Sequence, residues 1–297
     1  MKNIVEKIAK WVMTLFAITA VAAVFSMTVY MIAIGTPALT KVGVIDLLFG
    51  TEWAPTAEEP VFGIFYVILT SVVGTVAALL IGVPIGVFTA IFIAEVGNKK
   101  IASVVQPAVE LLAAIPSVIY GLVGVMILKP IMYKWEMAIF ANDPAHQYTG
   151  GSNLMSAILV LAVMILPTVI NISTSSIRAV QPAIKSASLA LGATKIQTIF
   201  KVVLPAAKSG IMTAVVLGLG RALGEAMAIN MVAGGVVNLP LPFNSVRFLT
   251  TAIVSEMSYS EGLHRQVLFT IGLVLFAFIV FTNLVLTRII RKGEEES

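Results

Sequence analysis

Residues 60–94 read PVFGIFYVILTSVVGTVAALLIGVPIGVFTAIFIA, without one Asp, Glu, Lys or Arg. About 20 apolar residues cross roughly 30 Å of hydrocarbon as a helix, so this stretch is too long for one straight span. Gly82, Pro84 and Gly86 are expected to bend or break it. Working outward, apolar runs of spanning length recur at 11–35, about 101–128, about 154–177, about 210–237 and 266–287. The third run contains Pro107, Glu110 and Pro116, the fourth Pro167, and the fifth Arg221 and Glu225. Six crossings of an all-α membrane protein follow.

Composition agrees. Of 297 residues, 59% are hydrophobic and 11% charged, against about a quarter charged in a soluble domain. That excludes a soluble enzyme, a coiled coil and a disordered chain. The absence of cysteine excludes disulfides, thiolate metal sites and a cysteine nucleophile. The excess of 19 Lys+Arg over 15 Asp+Glu is too small to argue for nucleic acid and reads instead as topology. Taking alternate connections as cytoplasmic collects Lys2, Lys7, Lys10, Lys99, Lys100, Arg178, Lys185, Lys195, Lys201, Lys208, Arg288, Arg291 and Lys292 on one side. The other side holds Lys41, Lys129, Lys134, Arg247 and Arg265. The bias puts both termini in the cytoplasm. The first run is about twice the length of a signal-peptide core, so it is read as a retained anchor. The acidic tail Glu294–Glu296 is the one low-complexity segment.

The connection 178–209 has five basic residues and no acidic one. Pro182 suits the first turn of a helix running to Leu191, and Gly192 a left-handed stop. Thr194 and Gln197 match a capping box for a second helix. In it Ile196, Ile199, Phe200 and Val203 fall on one stripe. Two short helices bent at a glycine make either an elbow for a cytoplasmic partner or a pair of interfacial helices on the anionic leaflet.

Arg221 and Glu225 lie in Gly218-Leu219-Gly220-Arg221-Ala222-Leu223-Gly224-Glu225. Arg221 is roughly 20 Å along a helix from Lys208, at membrane depth. A charge there costs about 2.5–3.5 kcal/mol on insertion scales. Spacing of four places both side chains on one helical face, and Gly220-x-x-x-Gly224 lets another helix approach nearby. The pair is either a structural lock or a charged station on a solute path. Arg221 suits an anion, its forked donors matching oxyanion oxygens, while Glu225 keeps the empty site from being a bare positive trap. Glu110 is read three ways: protonated, lining the path, or paired with a distant helix. His146 and His264 fall outside the spans, so no metal is expected. No GxxxxGK[ST] occurs, so ATP is not expected to bind this chain through a P-loop. Trp53, Tyr133, Trp135 and Tyr148 read as interface anchors. Asp46, Glu52, Glu58 and Glu59 read as solvated charges or a docking face for a solute-binding protein.

Two resemblances follow from these residues. Ser186-Ala187-Ser188-Leu189-Ala190-Leu191-Gly192, with Val202-Val203-Leu204-Pro205, resembles the E-A-A-x-x-x-G…I-x-L-P loop of ABC-importer permeases, with Ser186 in place of the Glu, Ser188 of the second Ala and Val202 of the Ile. It implies that Ser186, Ala187, Gly192, Ala193, Leu204 and Pro205 couple to an ATPase. The run 218–225, the stretch Glu110-Leu111-Leu112-Ala113-Ala114-Ile115-Pro116-Ser117-Val118-Ile119-Tyr120-Gly121, and Asn244-Ser245, Glu256 and Glu261-Gly262-Leu263-His264 resemble the PstC-type permeases of phosphate-specific ABC importers. From about residue 60 onward, the likeness implies a type I importer permease in the bacterial or archaeal cytoplasmic (inner) membrane. Residues 1–59 would then be an anchor helix and first external loop, and 60–297 the permease core with its coupling loop 178–209. Arg221, Glu225 and Glu110 would line the substrate pathway. A second permease, an ATPase dimer that binds the ATP, and an external phosphate-binding protein would be the partners. Molybdate, sulfate and phosphonate are the rival cargoes, because one arginine does not choose among anions. An intramembrane lipid enzyme would need a nucleophile and base, or clustered carboxylates, in the spans. A self-sufficient channel would keep its flux without an ATPase.

Overall fold

The computed structural model describes residues 2–295, with side chains for 6–98 and 100–288. The topology contributions of Lys2, Lys99, Arg291 and Lys292, and the tail Glu294–Glu296, lie outside the described side chains. Helix α1 (Lys2–Val42) leads into α2 (Val44–Phe49) and a two-stranded antiparallel hairpin, β1 (Trp53–Ala54) and β2 (Val61–Phe62), with Trp53 paired to Phe62. Then follow α3 (Phe65–Ile91), α4 (Lys99–Ala114), α5 (Ser117–Val123), α6 (Lys129–Ile139) and α7 (Leu154–Ala179). The elbow comprises α8 (Pro182–Ala190), α9 (Lys195–Thr198) and α10 (Leu204–Ala206). The chain finishes with α11 (Lys208–Gly224), α12 (Met227–Val232), α13 (Leu249–Glu256) and α14 (Gly262–Glu295).

Five helical stretches are long and apolar enough to cross a membrane: Glu6–Val42, Phe65–Val96, Ser117–Ile139, Leu154–Ala179 and Gly262–Arg288. A pair bent by 68°, Lys195–Ala206 with Lys208–Gly224, makes a sixth if the two count as one span. Two boundaries differ from the sequence reading. The third run does not cross as one piece from 101. Pro116 lacks an N–H and holds Ile115 extended (φ −69°, ψ 127°), which ends α4. The crossing is Ser117–Ile139 instead, its α5 and α6 joined by a π-helical stretch, Gly124–Leu128. The fifth run stops at Gly224, with Glu225 in an extended conformation before α12.

Residues 60–94 also contain no break at Gly82, Pro84 or Gly86. Helix α3 runs through all three and ends in a π-helical turn, Phe92–Val96. The glycines form a seam. A Cβ on Gly82 would sit 2.6 Å from Ile165 Cδ1 and 2.9 Å from the Ala162 carbonyl, and one on Gly86 2.7 Å from Val169 Cγ1. Gly74 meets Phe248 and approaches Leu154, so α3 and α7 run parallel and close along their length. Helix α11 runs antiparallel on the same side of α7, with Gly210 against Ser176 and Gly218 against Val169. With lipid tails as apolar as leucine, such backbone approach is what holds membrane helices together.

The main core lies where α7 meets α3, α5 and α12, around Leu154, Leu161, Ile165, Ala78 and Ile229. Helix α1 leans on α14 near its C-terminal end, through Gly35 against Thr270 and Leu273, where Gly35 and Ala38 are buried, while the residues before it stay largely exposed. A smaller cluster gathers the ends of α3 and α7 and the elbow: Ala90, Ile91, Ile177, Val180, Ile199, Val203 and Ala207.

Candidate substrate pathway and coupling surface

Arg221 occupies the last turn of α11, partly buried. Its Nη1 is 3.5 Å from Thr168 Oγ1, a weak contact. Among the described residues no carboxylate lies within ion-pairing distance of it, since the pairs formed are Glu136–His146, Glu95–Lys185, Glu256–Arg247 and Glu256–His264. Gly220 and Gly224 beside it face open space, with no atom of this chain within 4 Å of where a Cβ would stand. The closely packed glycine of that run is Gly218. The guanidinium therefore borders a free face, with most of its donors unpaired among the described residues.

Glu225 does not share a helical face with Arg221, because the helix has already ended. At φ −76° and ψ 128° its carboxylate turns back, and Oε1 accepts from the Ala228 N–H at 2.8 Å. It caps α12, an arrangement that satisfies an otherwise orphan donor and sets an anion at the positive end of a helix. Its own carbonyl accepts from Thr250 Oγ1 at 2.7 Å, which ties the break to the start of α13. The mutual neutralisation expected from the i, i+4 spacing is replaced by local capping.

Glu110 lies on α4, exposed in this chain. Gln106 Nε2 donates to its Oε1 at 3.1 Å, and Gln106 Oε1 accepts from Arg178 Nη1 at 2.7 Å. The glutamine thus relays between this carboxylate and the end of α7. The direct partner of Glu110 is thus a residue of its own helix, and the contact with α7 belongs to Gln106.

In the elbow, Gly192 has φ +85° with open space around it, so the conformation alone requires glycine. Thr194 accepts from Gln197 N at 3.2 Å, and Gln197 Oε1 accepts from Thr194 N at 2.9 Å, completing the capping box. The apolar stripe divides. Ile199 and Val203 are buried beneath the elbow, while Ile196 and Phe200 stay exposed with Leu191, which is 90% exposed. Ser186 and Ala187 lie on the exposed α8, Ala193 follows the glycine, and Leu204 and Pro205 start α10 after a π-helical turn, Ile199–Val203. Together they form a protruding, partly apolar surface of the kind that marks a contact site.

At the opposite end stand two carboxylate hubs that the sequence reading missed. Glu136, fully buried, accepts from Thr149 N at 2.8 Å and Thr149 Oγ1 at 3.0 Å and lies 3.0 Å from His146 Nε2. Glu256 joins Arg247, His264 Nε2 at 2.7 Å and Trp53 Nε1 at 3.2 Å. Trp53 is thus a tether between the hairpin and α13 as well as an aromatic near a boundary. No spacing rule signals such contacts, which join residues up to 203 positions apart.

A mostly helical chain with five or six stretches able to cross a membrane and a projecting elbow has the form of a polytopic membrane permease. Residues 82–293 match the model of the binding-protein-dependent transport system inner membrane component, and the chain belongs to that family. It is 35% identical over 288 residues to the probable ABC transporter permease protein YqgH of Bacillus subtilis, covering 94% of this chain and 90% of the relative. It is 34% identical over 251 residues to the phosphate transport system permease protein PstC of Haemophilus influenzae, covering 81% and 78%. The fold matches a bacterial alginate ABC transporter (TM-score 0.59, 17% identity, 93% of this chain and 92% of that one). It also matches the inward-facing MetNI methionine ABC transporter (TM-score 0.56, 21% identity, 78% and 94%). The architecture is that of a type I ABC importer permease.

Proposed function

We propose that the chain is the permease subunit of an ATP-driven importer that carries inorganic phosphate across the cytoplasmic membrane. The observation that carries this reading is Arg221: a guanidinium in an apolar run, without a carboxylate partner among the described residues, beside the open face of Gly220 and Gly224. Its unused forked donors fit a tetrahedral oxyanion. Relatives named as phosphate permeases, about a third identical over most of the chain, favour phosphate among oxyanions.

In this reading an external phosphate-binding protein delivers the anion at the end that carries the Glu136 and Glu256 hubs. A second permease closes the other wall of the path. An ATPase dimer, which binds the ATP, grips the elbow around Gly192 from the cytoplasm, and both termini lie on that side. Glu225 shapes the path by fixing the start of α12, and Glu110 lies on the wall formed by α4. The chain moves the anion and performs no bond chemistry.

Arg221→Ala is expected to cut phosphate uptake about 10–100-fold, the equivalent of losing about one charge-assisted hydrogen bond, while the complex still assembles. Uptake of labelled phosphate by cells that depend on this subunit, beside sulfate, molybdate and phosphonate, measures both points. Unchanged phosphate uptake by an assembled Arg221→Ala importer overturns the site. A cargo preference for another oxyanion overturns the substrate.

A further inference from the structure

Helix α8 buries none of its residues fully, so apolar packing holds it less firmly than it holds the spanning helices. The next part of the elbow is different, because Ile199 and Val203 are sunk in the cluster with Ala90, Ile91, Ile177 and Val180. Between α8 and that anchored part runs a hydroxyl contact, Ser188 Oγ to Thr198 Oγ1 at 3.0 Å. Among the described residues, the one ion pair between α8 and the spanning helices is Lys185 Nζ to Glu95 Oε1. Both members are largely shielded, with side chains 23% and 14% exposed, which strengthens the attraction over that of a fully solvated pair. Glu95 sits in the π-helical turn that closes α3, at the same end as the elbow's own π-helical turn.

Helix α3 is well placed to carry a displacement onward. Its glycine seam with α7 leaves no slack at Gly82 and Gly86, and α7 in turn grips α11 through Gly210 and Gly218, three residues before Arg221. Packed interfaces of this kind shift between discrete arrangements and do not deform smoothly. The motif that α8 resembles carries a Glu at the position of Ser186. This chain has a Lys one residue earlier, and that Lys turns to a carboxylate of its own spanning helix.

We propose that the Glu95–Lys185 ion pair is the link through which movement of the elbow is passed to α3, and so to the helices around Arg221. Glu95 and Lys185 are positioning residues: they touch neither cargo nor nucleotide, and they hold α8 in register with α3. The inference rests on the permease reading given above.

The test uses the assembled importer in proteoliposomes, with ATP on the elbow side and the solute-binding protein on the other. The wild-type complex first identifies the cargo, phosphate or another oxyanion, and that cargo serves for every variant. A wrong cargo and a wrong link therefore give different results. Glu95→Gln and Lys185→Gln are each expected to keep the co-purifying ATPase and to raise ATP hydrolysed per ion imported about tenfold. Lys185→Arg, which keeps the charge, stays within about threefold of wild type, and the charge-swapped double variant Glu95→Lys/Lys185→Glu recovers most of the loss of either single reversal. A pair serving only stability would lower the amount of complex while leaving the ratio of ATP to cargo unchanged. That outcome, or a double swap no better coupled than its single reversals, overturns the proposal.

Discussion

At the scale of single residues, the protein treats the two charges of its 218–225 run unequally. Glu225 is settled within its own chain by capping α12, whereas Arg221 has one weak contact to Thr168. Glu225→Ala is expected to lose that cap at about 0.5–2 kcal/mol and Glu225→Gln to lose less, as read from thermal unfolding of the purified complex in detergent. The buried hub at Glu136 has more at stake. Glu136→Ala leaves the Thr149 N–H and hydroxyl and the His146 ring without their acceptor, costing about 1–3 kcal/mol in the same measurement. Arg221 was legible in the sequence because a charge in an apolar run is conspicuous. The fate of Glu225 was not, because i, i+4 spacing predicts a shared face only where the helix continues. The two hubs were invisible, since sequence distance gives no hint that Trp53 meets Glu256.

At the scale of elements, the spanning helices followed from hydropathy, and the elbow from its proline, glycine and capping box. The misread breaks share one cause. Glycine and proline in a membrane helix mark either a bend or a close approach, and the sequence does not say which. Gly82 and Gly86 turned out to be contacts, whereas Pro116 ended its helix. Gly82→Val and Gly86→Val are each expected to push α3 from α7 and destabilise the complex by about 1–3 kcal/mol. Gly220→Ala, with open space at its Cβ position, leaves the stability of this chain unchanged or slightly raised, since alanine favours a helix by about 1 kcal/mol over glycine. Melting curves of the three variants separate seam from open face. Equal loss in all three would contradict the assignment.

At the scale of the molecule, the architecture joins two working ends. One gathers the hairpin, α13 and the start of α14 around Glu256, and the other presents an elbow whose exposed apolar residues have no cover within the chain. Between them, α3, α7 and α11 form a close-packed unit that ends at Arg221. In the proposed reading such a chain is half of a device, because its cation borders a face that no described residue fills. The central claim is that this face is a water-filled path for an anion. This chain has no cysteine of its own, so one introduced thiol is read on its own band after labelling. A single Gly224→Cys substitution, beside Arg221, is treated in the assembled importer with a negatively charged, membrane-impermeant thiol reagent. The account predicts rapid modification, slowed by phosphate and slowed again when Arg221→Gln removes the attracting charge. Reaction with a lipid-soluble maleimide alone, and none with the charged reagent in any transport state, would contradict it.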